Sequence, residues 1–451
     1  MRQNAPVAVV QQGQRPIRLV MTDDLERSRL TVFFRLILAI PHLVWVTLWG
    51  IAAFVVAFVL WLAVLINGQA PTGLHDFVAG YLRYATQVGG YLFLAASPYP
   101  GFRGRPGYPI DLEIDPPERQ SRWTGFFRLL LALPALILAA ALGGGLFFGS
   151  SGSSWSTAGG NEATTGAAIS FTGTAAAAAF LAWFAILAKG RSPRGLRDLV
   201  AYALGYSAQA GGYLFLLTGR YPSSDPALAE DFAELPPHPV QLAVADDLER
   251  PRLTVFFRLL LAIPHLIWLF LWSVAAFFAA IAAWFAALLT GRVPTALHRF
   301  LAAYVRYSTH VIAYLYVIAR RFPGFTGREG SYGIELGIAP PERQNRWKTL
   351  FRFFLAIPAF ILSSALGGVA LIVAILVWCF ALVTGRAPEG LRNLGAACLR
   401  YSAQTYAYLL LLSERYPYAA PVLEGKRPDE AEQPPPHAYY APPPPPAQDA
   451  L

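Results

Sequence analysis

Three stretches of the chain carry an arginine, then an amide or imidazole four residues on, then a tyrosine four further: Arg83, Gln87 and Tyr91; Arg306, His310 and Tyr314; Arg400, Gln404 and Tyr408. A helix brings positions i, i+4 and i+8 onto one side. A guanidinium grips phosphate through two parallel hydrogen bonds. The set therefore reads as a face for anionic lipid headgroups or for a partner protein. The plainer alternative is a solvated helix face whose arginines snorkel. A fourth copy has Gly205 where the others have arginine.

Other reactive side chains are sparse. His42 and His265 sit in apolar runs that hold no Asp or Glu, so a proton relay or metal site lacks its second group; packing between helices explains them. His75 and His298 recur as Arg197 and Arg392, which suits a polar position near headgroups rather than a ligand. Cys379 and Cys398 make neither a disulfide framework nor a metal cluster. Asp23, Asp24 and Glu26 lie beside Arg27 and Arg29, where local ion pairing or helix capping accounts for them. No nucleophile elbow, zinc-helix motif or phosphate loop is present, so no catalytic, cofactor or metal residue is expected.

The elements that would position these residues come from composition. Hydrophobic residues make up 55% and charged residues 14%, against about a quarter charged in a soluble domain. No charge interrupts Leu36–Ile66, Leu259–Gly291 or Phe353–Gly385, and each run exceeds the ~20 residues of a membrane-crossing helix. The first 35 residues are rich in arginine and lack the apolar core of a signal peptide. The net charge of +9 fits orientation by basic residues and contact with anionic lipid better than nucleic acid.

The chain repeats itself. DDLERSRLTVFFRLILAIPHLVW from Asp23 returns from Asp246, and PPERQSRWTGFFRLLLALP from Pro116 returns from Pro340. The units are thus A (15–107), B (108–237, with a Gly/Ser-rich insertion at about 143–166), A′ (238–331) and B′ (332–420). They are flanked by a disordered start (1–14) and a Pro-rich disordered tail (421–451), which could dock a partner protein or act as a spacer. Each unit has an alternating strand, an arginine-flanked apolar run with a proline (Pro41, Pro134, Pro264, Pro358), a Gly-Arg-x-Pro turn (Gly68-Gln69 in unit A) and an Arg-Tyr helix.

The motifs Arg-Leu-Thr-x-Phe-Phe-Arg-Leu-x-Leu-Ala-Ile-Pro, Gly-Arg-x-Pro and Arg-Tyr-Ser resemble a bacterial membrane-protein family known only as a domain of unknown function, DUF4389. The resemblance covers nearly all of 15–418. It implies no activity, ligand or catalytic residue.

The fold class expected is a mainly α polytopic membrane protein of four units, each a short strand, a hydrophobic helical hairpin and an amphipathic helix. The insertion cannot lie in lipid, which places a turn at its position and at Gly50, Ser273 and Gly367-Gly368. Each run then folds as a hairpin, roughly 30–49 and 50–68 in unit A. All basic residues fall on one side, with both termini cytoplasmic and the protein multi-pass in the cell membrane. The Arg-Tyr helix then lies in the membrane plane; a crossing with a polar seam is the alternative. One strand per unit could assemble into a small cytoplasmic sheet. Function is expected to be a non-enzymatic membrane-organising or scaffold module. A transporter or channel is the alternative, and a lipid-modifying enzyme a more distant one.

Overall fold

The computed structural model describes residues 15–143, 173–228 and 238–423. The segment 1–14, nearly all of the Gly/Ser-rich insertion and the Pro-rich tail from 424 lie outside the described residues. Each unit opens with a five-residue strand: β1 (Ile17–Met21), β2 (Ile110–Ile114), β3 (Val240–Val244) and β4 (Ile334–Ile338). Alternation turns Ile110 and Leu112 inward and Glu113 outward, as a strand's two-residue period requires. The strands pair two by two, β1 antiparallel to β2 and β3 to β4, with Leu19 opposite Leu112 and Leu242 opposite Leu336. Among the described residues there are two small sheets instead of one.

A short helix follows, and after a break at one phenylalanine a long apolar helix. These are α1 (Arg29–Phe33) and α2 (Arg35–Asn67), α8 (Arg252–Phe256) and α9 (Arg258–Thr290), and α11 (Arg346–Leu350) and α12 (Arg352–Thr384). In unit B, α4 (Arg122–Phe126) precedes α5 (Arg128–Gly143) and α6 (Thr174–Lys189), with the insertion between the last two. The Arg-Tyr helices are α3 (Thr72–Leu92), α7 (Arg194–Leu214), α10 (Thr295–Leu315) and α13 (Glu389–Leu409).

The expected hairpin does not form inside the apolar runs of units A, A′ and B′: α2, α9 and α12 are continuous over 33 residues. A glycine inside a helix costs only about 1 kcal/mol. Gly50 serves close approach instead, since a Cβ there would meet the Tyr81 hydroxyl at 2.9 Å. Ser273 stays helical and bonds the Phe270 carbonyl at 2.7 Å. The reversal comes later, at the Gly-Arg-x-Pro turn. Gly68, Gly190, Gly291 and Gly385 end their helices at φ of 71° to 75°, the left-handed position that glycine takes without strain.

The true hairpin is therefore an apolar helix folded back on its Arg-Tyr helix. Arg35 meets Tyr91, His42 meets Tyr84 and Trp49 meets Gly80, so α2 and α3 run antiparallel along their length. Leu82, Tyr84, Val88 and Tyr91 of α3 are all buried, whereas Ile51, Phe54 and Phe58 of α2 are exposed. The plainer reading of the Arg-Tyr helices, a polar face open to solvent, does not hold. On α10, His298, Arg306 and His310 are buried along with Leu301, Tyr307 and Val311, and β4 lies against Arg306 and His310.

Units A and B form one lobe, A′ and B′ the other. Within a lobe the contacts are reciprocal. The turn of one unit bridges the lead-in of its neighbour, at Glu26–Arg191 and Gln69–Arg119, and again at Glu249–Arg386 and Arg292–Arg343. Trp61, Trp284 and Trp378 each donate to a carbonyl of the neighbour's short helix, at Gly125, Thr349 and Val255. Arg29, Arg252 and Arg346 each cap the carbonyls ending the neighbour's long helix, at Ala188, Val383 and Leu289. Each lobe thus has an internal twofold relation, with its apolar helices antiparallel. The lobes meet where α12 packs on α5 and α6 through Leu362, Leu366, Val369 and Val373 against Leu138, Leu142, Ala175 and Ala178. The spatial order is A–B–B′–A′, with bulky Phe and Trp facing outward on the end units.

Candidate functional site

Every Arg-Tyr helix stops on a left-handed residue that is not glycine: Leu94, Leu216, Val317 and Leu411, with φ from 59° to 63°. Such a conformation costs about 1–2 kcal/mol for a side chain with a Cβ. Guanidinium groups hold it in place. Arg35 Nη1 donates to the carbonyls of Tyr91 (2.9 Å) and Ala96 (3.0 Å). Arg258 does the same at Tyr314 and Ala319, and Arg352 at Tyr408 and Ser413. Arg128 donates to Thr218. All four lie over a tyrosine ring, 4.1 to 4.4 Å from its centroid: Tyr91, Tyr213, Tyr314 and Tyr408. A cation at a helix C-terminus also opposes the helix dipole.

Eight residues before this arginine stands a second group with the same task. In A-type units it is Arg27, bonded to the Ala95 carbonyl at 2.8 Å, and Arg250, bonded to Ile318. Each is neutralised by a buried carboxylate, Asp23 at 2.7 Å and Asp246 at 2.8 Å. B-type units use neutral Gln120 and Gln344, which donate to Leu216 and Leu411 and accept from Arg128 and Arg352. Ion pairing thus does account for Asp23.

The sequence-selected side chains point to the strands. Arg83 Nε donates to Leu112 O at 2.9 Å and Arg306 Nε to Leu336 O at 3.0 Å, equivalent strand positions. Gln87 donates to the Arg105 carbonyl and to Asp111. In unit B′, Arg400 donates to the carbonyls of Tyr418 and Ala420, and Gln404 to Val240 O. Arg306 lies 3.3 Å from Glu335 and 3.5 Å from Glu329. Burial and Arg306 push the His310 imidazole down to about 4. It is therefore neutral near pH 7, and its 4.0 Å approach to Glu335 is not an ion pair. Burial raises the Glu335 carboxyl above its ordinary value. Arg83, Gln87, Arg306, Arg400 and Gln404 thus bind strands and loops to the Arg-Tyr helices, within units and across them, while His310 packs its ring against Tyr332.

His42 and His265 each share a hydrogen bond with a tyrosine, Tyr84 at 2.6 Å and Tyr307 at 2.8 Å. Phe102 and Phe325 stack on the two imidazoles, and Trp45 and Trp268 hold the carbonyls of those phenylalanines. This is a packed aromatic cluster that pins the loop after each A-type Arg-Tyr helix. Among the described residues no group of three His, Cys, Asp or Glu could hold a metal.

A family model described as "Domain of unknown function (DUF4389)" matches residues 29–103, 166–224, 252–326 and 346–420, more than half of the chain. The chain belongs to this family. No curated protein and no solved structure matches it. The DUF4389 matches all begin before or within an apolar helix and run past an Arg-Tyr helix, so each contains one antiparallel helix pair. Sequence reasoning missed the helix-ending guanidinium groups of these units. A signal existed: Arg27/Arg35, Gln120/Arg128, Arg250/Arg258 and Gln344/Arg352 share one spacing, and Tyr91, Tyr213, Tyr314 and Tyr408 recur with them.

Proposed function

We propose that this DUF4389 protein is a non-catalytic membrane scaffold whose apolar helices lie along one leaflet, with the two sheets toward the cytoplasm. Among the described residues three helices are long and apolar enough to cross a membrane by length and composition. At 33 residues they would be about 50 Å long, well beyond the ~30 Å hydrocarbon thickness. The observation that carries the reading is the position of charge. The β1–β2 sheet rests near the middle of α3, where Arg83 reaches Leu112, and it presents the Arg18–Glu113 pair at 3.0 Å, with Glu113 58% exposed. If the helices crossed the bilayer, that pair would lie at mid-membrane, where lipid-facing charge costs several kcal/mol. Along the leaflet, the apolar helices face hydrocarbon and the sheets face water.

Two further features agree. The Gly/Ser-rich insertion enters at the middle of unit B's apolar helix, between Gly143 and Thr174, and such a segment is incompatible with mid-membrane lipid. The reciprocal pairing of turns with lead-ins puts arginines at both ends of every apolar helix, which suits a single headgroup level.

Ser28 and Ser121 test the placement. They stand at opposite ends of α2, since Gln120 bonds the carbonyl of Gly68. Single cysteines there, in a Cys379→Ser, Cys398→Ala background, are expected to label from the same side of intact cells. Labelling from opposite sides would contradict the placement. Reconstituted protein should change vesicle shape without passing solutes, and a solute flux would support the transporter reading instead.

A further inference from the structure

The four turn-to-lead-in bridges are internal controls on one another. At two of them the turn arginine faces a glutamate: Arg191 opposite Glu26 and Arg386 opposite Glu249. At the third the lead-in arginine faces a neutral amide, Arg119 opposite Gln69. Only the fourth sets two cations against each other, Arg292 opposite Arg343. Like charges directly across a bridge are destabilising, so this position alone of the four carries two cations with neither an acid nor an amide opposite them.

Its surroundings add cation and apolar surface. Gln344 N bonds the Gly291 carbonyl at 2.9 Å, which fixes the two strands together. Arg346 joins them from the next residue but one, with its Nη2 on Leu289 O at 3.0 Å. Neither Arg292 nor Arg343 forms an ion pair among the described residues. The nearby Glu414 is engaged with Lys348 at 3.6 Å and with the Asn345 amide, which leaves exposed Glu342 as the neighbouring acid. Immediately beyond stand Trp347, 73% exposed, and Phe351, at the head of the apolar helix α12. Aromatic residues beside arginine are the usual furniture of a membrane interface.

We infer that Arg292, Arg343 and Arg346 form a binding site for the phosphate of an anionic lipid headgroup, with Trp347 set into the interface beside it. The phosphate would bring a negative charge to the position that Glu26 and Glu249 occupy in their own bridges. Arginine forks match phosphate oxygens in pairs.

The inference rests on the leaflet placement above. The test uses the full chain in nanodiscs of phosphatidylcholine alone or with one-fifth phosphatidylglycerol, reading the thermal midpoint and lipid-vesicle affinity. Phosphatidylglycerol should raise the wild-type midpoint. Arg292→Gln, which copies the Gln69 arrangement, should bind such vesicles about fivefold more weakly, as for one lost interfacial arginine. Arg343→Glu copies the A-type arrangement and should melt higher than wild type in phosphatidylcholine while losing the response to phosphatidylglycerol. Unchanged phosphatidylglycerol responses in both variants would overturn the site. So would an equal midpoint rise from inorganic phosphate alone. If Ser28 and Ser121 label from opposite sides while the variants behave as expected, the placement fails and the site stands.

Discussion

At the scale of single residues, the fold depends on buried guanidinium groups aimed at backbone carbonyls. Arg258 satisfies Tyr314 and Ala319 and covers the Tyr314 ring. Arg258→Met should lower unfolding stability by about 3 kcal/mol or more, because each stranded carbonyl costs about 1–3. Arg258→Lys, with charge but no fork, should fall between. Denaturant unfolding in detergent would measure both, and an unchanged midpoint for Met would refute the capping role. His310 gives a pH prediction. Its folded-state value of about 4 lies below the ordinary ~6.5. Between these two values the unfolded chain binds the extra proton, so stability is expected to fall as pH drops through that window. His238, lowered to about 4 chiefly by burial, acts in the same direction. His310→Gln copies Gln87, Gln209 and Gln404 and should flatten part of the acid slope without loss at pH 8. An acid slope identical to wild type would count against it.

At the scale of elements, the sequence made some boundaries plain and hid others. The Gly-Arg-x-Pro turns were readable because a left-handed glycine before a proline is a local signal. The strands were readable from their two-residue period. Gly50 misled, because a glycine needed for contact with Tyr81 looks the same in sequence as one needed for a turn. The partners of Arg35 and Arg83 were hidden for a different reason: Tyr91 and Ala96 lie 56 and 61 residues from Arg35, and the acceptors are backbone carbonyls, which carry no residue signature. Continuity of α2 has its own check. The clash with the Tyr81 hydroxyl should cost Gly50→Ala about 1–2 kcal/mol, as overpacking does, offset in part by the ~1 kcal/mol of helix propensity that alanine adds. Adding Tyr81→Phe should recover most of the loss. A Gly50→Ala variant stabilised by the full ~1 kcal/mol of helix propensity would mean that the helices are not in contact there.

At the scale of the whole molecule, the order A–B–B′–A′ differs from the chain order A–B–A′–B′, and side-chain size explains why. The facing surfaces of B and B′ are lined by small or short residues, Ala175 and Ala178 against Val369, Ala370 and Val373, which allow helices to approach closely. A-type units carry Trp45 and Trp49 or Trp268 and Trp272 where B and B′ have Leu138, Leu142, Leu362 and Leu366. The most apolar window of α9 is only 11% buried by the protein, against 39% for α12. The end units thus turn their apolar helices to the surroundings, which on the proposed placement are one leaflet. Nitroxide labels at Leu259, Phe270, Phe277 and Leu289, all exposed along α9, would read their depth in a bilayer by paramagnetic quenching. Four similar, shallow depths in the same leaflet are expected. Shallow ends in opposite leaflets with a deep Phe270 and Phe277 between them would contradict the placement.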